Sequence, residues 1–393
     1  MNESAKKRLL IVVIVLAVLT VGLIRLVTYR ILVAARGSAF DFYTLWYGGR
    51  VFWAGEDPYS LETARAIQRA VFGHELPAAA NQQGFAYPAY AVVMLAPFLA
   101  LPFPVAVSIW SALQLVGIAL AVALTLDGVG WLPRPVWMGL LVLAAYTFRY
   151  AGIVYVIGQT SVAVWLAVAG AVTLYRRGHD AWAGLCLALA ALRPELGGPV
   201  GLALTVLSLS ERRPRLVIGW LGWLAALSLP AFIRRPTWPL DFLAGATAYA
   251  GYAPVLWPPA LFAPWGWLAG IAVAAAAVYS FWRARREADH RPALVVAALL
   301  PLVLVAVPQT GSYTLTLALF TALVAVRPGA GPGARGLAAV LVLAPWAIWA
   351  LHQKQGTPLA IEQVIVPLLA ALTLAISLNP HRRAAPERTG HTH

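Results

Sequence analysis

Pro104–Leu126 reads PVAVSIWSALQLVGIALAVALTL. It carries no charged residue and is long enough for the roughly 20 apolar residues that a helix needs to cross a hydrocarbon core of about 30 Å. Inside that core no water is available to backbone amides and carbonyls, so the run must bond them internally, as a helix. Similar runs recur along the chain at Leu9–Val27, Leu216–Ile233, Trp265–Trp282, Ala293–Val307, Tyr313–Val326, Leu337–Leu351 and Val364–Leu378, with a shorter one at Ala89–Leu101. The composition agrees: of 393 residues 61% are hydrophobic and 11% charged, where soluble domains carry roughly 25% charged residues. The expected fold is an all-α polytopic membrane protein, read as a single transmembrane domain over residues 1–393.

A net charge of +14 would suit nucleic acid, but the basic residues fall in short clusters between apolar runs. That is the positive-inside pattern, and it excludes a nucleic-acid partner in favour of membrane lipids. Lys6, Lys7 and Arg8 precede a run too long for a signal peptide, so a retained first span is expected. The clusters at Arg176/Arg177, Arg212–Arg215, Arg283–Arg291 and Arg327–Arg335 are assigned to the cytoplasm. Both termini and the tail 379–393 go with them, in a plasma (inner) membrane location. The lone Cys186 excludes an intramolecular disulfide.

Two places resist a regular count. The turn Leu101–Pro104 is assigned inside and the loop Asp127–Pro135 outside, so an odd number of crossings must fit between Val136 and the cytoplasmic Arg176. Two apolar runs are visible there, interrupted by Arg149, Tyr150, Gly158 and Gln159. One is expected to be half-length or re-entrant, because irregular polar backbone at membrane depth survives only where it is buried in protein or lines a wet cavity. Residues 181–210 are flanked by basic clusters on both sides and are too short for two full spans. They are expected to form a short membrane hairpin with Arg193-Pro194-Glu195 near its tip. The total is about ten transmembrane helices plus two partial or re-entrant hairpins.

Residues 28–88 form a long first outer loop, rich in acidic and aromatic residues. Ser38-Ala39-Phe40-Asp41 fits a helix start and Gly55 a stop, which makes Asp41 either a capping carboxylate or a reactive one. Beyond Asp57-Pro58-Tyr59, the residues Leu61, Ala64, Ile67 and Val71 share one face of a second helix. Glu62, Arg65 and Arg69 share the other, so the loop helices are expected to be amphipathic and interfacial. A carboxylate among aromatics just outside the bilayer is well placed to be a general base towards a sugar hydroxyl.

The order Asp41, Gly55-Glu56-Asp57-Pro58-Tyr59, Phe85-Ala86-Tyr87-Pro88, Gly158-Gln159 and Arg193-Pro194 resembles glycosyltransferase family 87, of the GT-C superfamily. The chain has Tyr87-Pro88-Ala89 where that pattern favours Tyr-Pro-Pro, and Arg193-Pro194 where Lys-Pro is common. Its late outer motif is reduced to Pro308 and Tyr313. The resemblance implies a GT-C-like bundle and a membrane-embedded inverting glycosyltransferase. Its donor would be a polyprenyl-phosphate monosaccharide of mannose or arabinofuranose type, its acceptor a lipid or glycan, and its active site extracytoplasmic. Asp41 would be the base and Arg193, with Arg149 and Arg50, would bind the donor phosphate. Tyr59, Tyr87, Gln159 and Tyr313 would contact sugar or acceptor. Each has a plainer use: Arg193 can pair with Glu195, Gln159 can bond between helices, and the tyrosines can anchor at the interface. No paired-His metal motif, P-loop, GxSxG or dinucleotide fingerprint is present, so no cofactor is expected, and the resemblance implies metal-independent chemistry. Two other functions suit the pattern: a lipid-linked glycan flippase, given intramembrane arginines and broken helices, or a non-catalytic assembly subunit.

Overall fold

The computed structural model describes residues 39–77, 83–252, 263–307, 311–355 and 359–379. The first span, the start of the first outer loop, Pro308 and the tail beyond Asn379 lie outside the described residues. Seventeen α-helices and no strand are found among those described, so the chain is an all-α polytopic membrane protein. It divides into two compact units.

The first unit runs to Gly117 and takes in Tyr155–Gln159 and Pro230–Tyr252. It holds α1 (Phe40–Ala54), α2 (Leu61–Phe72), the short helices α3 (Ala89–Met94) and α4 (Ala96–Leu99), the start of α5 (Phe103–Gly128), and α12 (Trp238–Tyr252). Gly55 ends α1 in the left-handed conformation at φ 94°, and the Ser60 hydroxyl accepts from the Thr63 amide to start α2. On the expected apolar face of α2, Ala64 and Ile67 are buried but Leu61 is exposed. The face is shifted towards Thr63 and Gln68, both buried, and the Gln68 side chain accepts from the Leu76 N–H at 2.8 Å.

Residues 89–101 do not form one span. They make two short helices that pack on α1, where the Leu101 and Leu99 carbonyls accept from Trp46 Nε1 and Arg50 Nη1, each at 3.2 Å. The Leu101–Pro104 turn is thereby held against α1.

The second unit holds the rest of α5, α6 (Pro135–Thr147), most of α7 (Arg149–Ile157), α8 (Ser161–Arg176), α9 (Asp180–Ala190), α10 (Pro194–Ser210) and most of α11 (Arg215–Arg234). It continues with α13 (Trp265–Ala284), α14 (Arg291–Ala306), α15 (Ala318–Ala325), α16 (Pro332–Gln355) and α17 (Glu362–Ser377). Helices α5, α11, α13 and α16 are long and apolar enough to cross a membrane. The pair α6–α7, bent by 61°, makes a fifth such element. Five shorter apolar helical segments accompany them. Helix α8 is apolar all round and buried on nearly every side, the pattern of a central helix. The long helices instead leave Ile233, Ile271 and Leu343 exposed, as side chains facing hydrocarbon would be. Close approach uses small residues: a Cβ at Gly184 would run into the α11 backbone at Gly219–Trp220.

One end of this unit gathers the basic clusters. Arg177 pairs with Asp127 at 2.7 Å, and Arg176 donates to the Asp127 carbonyl at 3.0 Å. Arg213 binds Asp180 and the Tyr175 carbonyl, Arg291 pairs with Glu211 at 3.3 Å, and Arg327 with Glu287 at 3.2 Å. The loop Asp127–Pro135, expected on the opposite side, therefore lies at the same end as Arg176 and Arg177. The interruption expected between Val136 and Arg176 is the 61° bend between α6 and α7, and α8 follows it to Arg176. The break has a local cause. Phe148 is extended (ψ 120°) and buried against Tyr150, with ring centroids 5.0 Å apart. The Thr147 carbonyl released from the helix accepts from Trp346 Nε1 at 2.8 Å.

Candidate functional site

In the first unit the site is built where α7 stops. Gly158 takes φ 76°, a conformation glycine enters without penalty, and a Cβ there would overlap the Phe42 side chain. Its carbonyl accepts from Trp110 Nε1 at 2.9 Å, and the Trp110 ring stacks on Phe42 at 5.1 Å. Two residues earlier, near the end of α7, the Val156 carbonyl accepts the Ala39 N–H at 2.9 Å, fixing the start of α1. The break thus turns Gln159 towards the first turn of α1, where Asp41 stands.

The cap position of α1 is Ala39, with left-handed backbone (φ 58°) and no side-chain bond, and Asp41 stands in the first turn. The carboxylate is held between two amides. Gln159 Nε2 donates to Oδ2 and Gln83 Nε2 to Oδ1, both at 2.9 Å. Gln83 also reaches Thr44 Oγ1 at 3.2 Å, and Gln159 is buried. Both amides are neutral donors, which orient the carboxylate without themselves adding opposite charge. A carboxylate offers about four lone-pair positions, so an alcohol hydroxyl can bond to the same oxygens that the amides hold.

Tyr59 and Tyr87 are brought together, in a clasp on the loop: the Tyr59 hydroxyl donates to the Tyr87 carbonyl at 2.8 Å, and its ring packs edge-on to Phe85. Burial, then the Asp241 and Asp57 carboxylates, push the Tyr59 phenol far above its ordinary pKa. It therefore acts here as a neutral hydrogen-bond donor. Asp57 accepts the Tyr59 N–H at 3.0 Å and pairs with Arg235 at 3.2 Å, which in turn binds Asp241 at 2.6 Å. Arg50 lies exposed over Trp46, 4.9 Å from the ring centroid, beside an open groove of about 660 Å³ lined by Tyr43, Tyr47 and Phe103. Nine residues separate it from Asp41, which puts the two on opposite faces of α1.

In the second unit Arg193 sits at the turn between α9 and α10, and Pro194 opens α10. Its guanidinium pairs with Glu195 at 2.6 Å and lies over the Tyr313 ring at 5.1 Å. Arg149 pairs with Glu362 at 2.9 Å, both nearly buried, and the Tyr150 hydroxyl donates to the same carboxylate oxygen at 3.0 Å. Of the residues singled out in the sequence, the structure joins Asp41 to Gln159, Tyr59 to Tyr87 and Arg193 to Tyr313. Arg149 and Arg50 each stand apart from these pairs.

Gln83 and Glu362 escaped the sequence reading. Gln83 carried a weak signal, as one of three consecutive amides, Asn81-Gln82-Gln83, in an otherwise apolar stretch. Glu362 carried a stronger one: a single carboxylate at the head of an apolar helix needs a cation, and Arg149 is a basic residue inside an apolar run. Among the described residues no group of three or more His, Cys, Asp or Glu is arranged to hold a metal ion.

The family model for glycosyltransferase family 87 matches residues 85–308. The matched stretch covers Tyr87-Pro88, Gly158-Gln159 and Arg193-Pro194 and begins after Asp41 and Gln83. No curated protein sequence matches the chain. A model match over more than half of its length identifies the chain: it belongs to glycosyltransferase family 87, a membrane glycosyltransferase family of the GT-C type.

Proposed function

We propose that the protein transfers a monosaccharide, of mannose or arabinofuranose type, from a polyprenyl-phosphate donor to a lipid or glycan acceptor with inversion at the anomeric carbon. The observation that carries this reading is the Asp41 carboxylate, oriented by the side-chain amides of Gln83 and Gln159, two neutral donors. The acceptor hydroxyl bonds to Asp41 and attacks the anomeric carbon from the face opposite the phosphate. As the new C–O bond forms, its proton passes to the carboxylate. The bond to the phosphate oxygen breaks with its electron pair, releasing polyprenyl phosphate, which needs charge stabilisation and no proton.

Arg193 supplies that stabilisation, exchanging Glu195 for the phosphate while Tyr313 supports its guanidinium. Arg149, held by Glu362, and Arg50, on the far face of α1, are secondary. Tyr59 and Tyr87 shape the loop through their clasp and reach the acceptor by their rings. No metal or cofactor enters the scheme. By the positive-inside rule the basic end of the second unit faces the cytoplasm with both termini. The first outer loop, with Asp41, works on the extracytoplasmic face of the plasma membrane in this scheme.

The test is transfer of radiolabelled sugar from polyprenyl-phosphate donors into total lipid extract. Asp41→Asn should abolish it. Because that change opposes one amide with another, Asp41→Asn is also combined with Gln159→Glu, which restores a donor–acceptor pair but displaces the carboxylate. If either variant transfers sugar at the wild-type rate, Asp41 is not the base. If the wild type transfers nothing from any such donor, the donor class is wrong.

A further inference from the structure

Outside the residues assigned to transfer, the second unit carries an apolar groove of about 880 Å³ between α6, α15 and α16. Its walls include Leu140, Ala144, Leu323, Ala339 and Leu343, and Arg335 lines it as well. Along α6 the lining extends from Trp137 to Thr147, ten residues or about 15 Å at the helical rise. That is half the thickness of a hydrocarbon core of about 30 Å, the depth of one leaflet.

The groove has a polar mouth. Trp131 and Pro328 line it and also line a second cavity of about 320 Å³ that contains Glu287, His290, Arg327 and Ser377. This is the end of the unit where Arg176, Arg177, Arg291 and Arg327 gather. His290 Nδ1 is buried there without a hydrogen-bond partner among the described residues. Arg335, in the first turn of α16, is exposed, and no carboxylate among the described residues pairs with it. An apolar slot one leaflet deep, ending in the exposed Arg335 guanidinium beside a polar cavity, matches an amphiphile with an anionic head.

We infer that this groove holds an anionic phospholipid from the leaflet at the basic end, its acyl chain against α6 and α16 and its phosphate on Arg335. Arg335 and the adjoining polar cavity select the head, and the groove selects a chain over open bilayer. None of these residues takes part in the proposed transfer chemistry, and the inference does not depend on it.

The experiment is native mass spectrometry of purified protein equilibrated with mixed micelles of equal phosphatidylglycerol and phosphatidylcholine. One basic side chain near an anionic lipid contributes about 1 kcal/mol, or about fivefold. The wild type should therefore retain phosphatidylglycerol about fivefold over phosphatidylcholine. Arg335→Glu should abolish that preference, Ala339→Trp should lower retention of both lipids by filling the groove, and Arg215→Gln, basic but outside the lining, should change nothing. Equal retention of the two lipids by the wild type would overturn the inference. So would an unchanged preference in Arg335→Glu, or polyprenyl phosphate as the retained species. If Arg335→Glu does not yield folded protein, undiminished retention by Ala339→Trp, a change on an exposed face, also overturns it.

Discussion

Gln159 donates its side-chain amide to Asp41 Oδ2 at 2.9 Å across 118 positions of sequence. The contact exists because a helix stops one residue earlier: Gly158 takes a backbone conformation that lets the chain turn against Phe42. The carboxylate at the start of α1 and the amide at the end of α7 are thus fixed by one backbone event, and Gln83 closes the other side.

Removing either amide should slow transfer without unfolding the protein. A hydrogen bond to a charged group contributes about 1.5–3 kcal/mol. Gln159→Ala should therefore lower kcat by roughly 10- to 150-fold with little change in acceptor KM, and Gln83→Ala should act in the same direction. Steady-state transfer assays together with thermal unfolding in detergent check this. A loss of melting temperature in proportion to activity would mean that the amides only hold the fold.

Gly158→Ala should destabilise the first unit, since it adds a side chain in the left-handed region and against Phe42. Left-handed backbone alone costs about 1–2 kcal/mol for a non-glycine residue. The atom in the way is the Phe42 Cβ, which only glycine lacks, so Gly158→Ala combined with Phe42→Gly should lose less than the sum of the two single losses. Thermal unfolding of the four proteins measures that coupling; strict additivity would place the Gly158 requirement elsewhere.

The apolar runs made the membrane class legible, because hydrophobicity over 20 residues is a local property. So was the stop at Gly55, which needs only one glycine. The break within residues 89–101 was not legible. It makes two short helices that pack on α1, where Trp46 and Arg50 capture the Leu101 and Leu99 carbonyls. Asp41 was visible as a carboxylate in a distinctive place. Its clamp was not, since Gln83 and Gln159 have no periodic relation to it and meet it only after α7 has broken. Glu362 lay 213 positions from its partner Arg149, beyond the reach of any local pattern.

The buried Arg149–Glu362 pair should be far less tolerant of single than of double substitution. Removing one partner leaves an uncompensated buried charge, at a cost of about 3–5 kcal/mol. Arg149→Met alone should be strongly destabilised, and Arg149→Met with Glu362→Leu should recover most of the loss. The Tyr150 hydroxyl, which also bonds Glu362, sets the residual deficit. Comparing melting temperatures of the single, double and Tyr150→Phe variants checks each statement. Equal loss in single and double variants would show the pair contributes by packing alone.

The clasp that joins Asp57, Arg235 and Asp241 should fail only in strong acid. Burial raises the Asp241 pKa, but hydrogen bonds from Arg235 and Thr237 overcome this and hold it below the usual carboxylate value. A carboxylate depressed in the fold contributes stability that is fully present above its unfolded pKa of about 3.9 and is lost as pH falls through the folded value. Limited proteolysis of the first outer loop should therefore stay slow from pH 7 down to about pH 4 and accelerate below it. Asp241→Asn, with no charge to lose, should show fast cleavage across the whole range. A wild-type transition near pH 6 would implicate a different group.

Arg193 offers the sharpest test of the proposed donor recognition. Glu195 pairs with it and Tyr313 lies under its guanidinium, and in the proposed scheme the donor phosphate displaces the first while keeping the second. Glu195→Gln should release the guanidinium and lower donor KM. Arg193→Gln should raise donor KM by about tenfold or more, since a charge-assisted bond is roughly twice as strong as a neutral one. A cation–π contact contributes about 0.5–2 kcal/mol, so Tyr313→Ala should raise donor KM by about two- to thirtyfold, while Tyr313→Phe, which keeps the ring, should leave it unchanged. Steady-state kinetics with the polyprenyl-phosphate donor varied at saturating acceptor separates these effects. If Glu195→Gln raises donor KM as Arg193→Gln does, the pair acts only to close the turn between α9 and α10, and the phosphate is held by another residue.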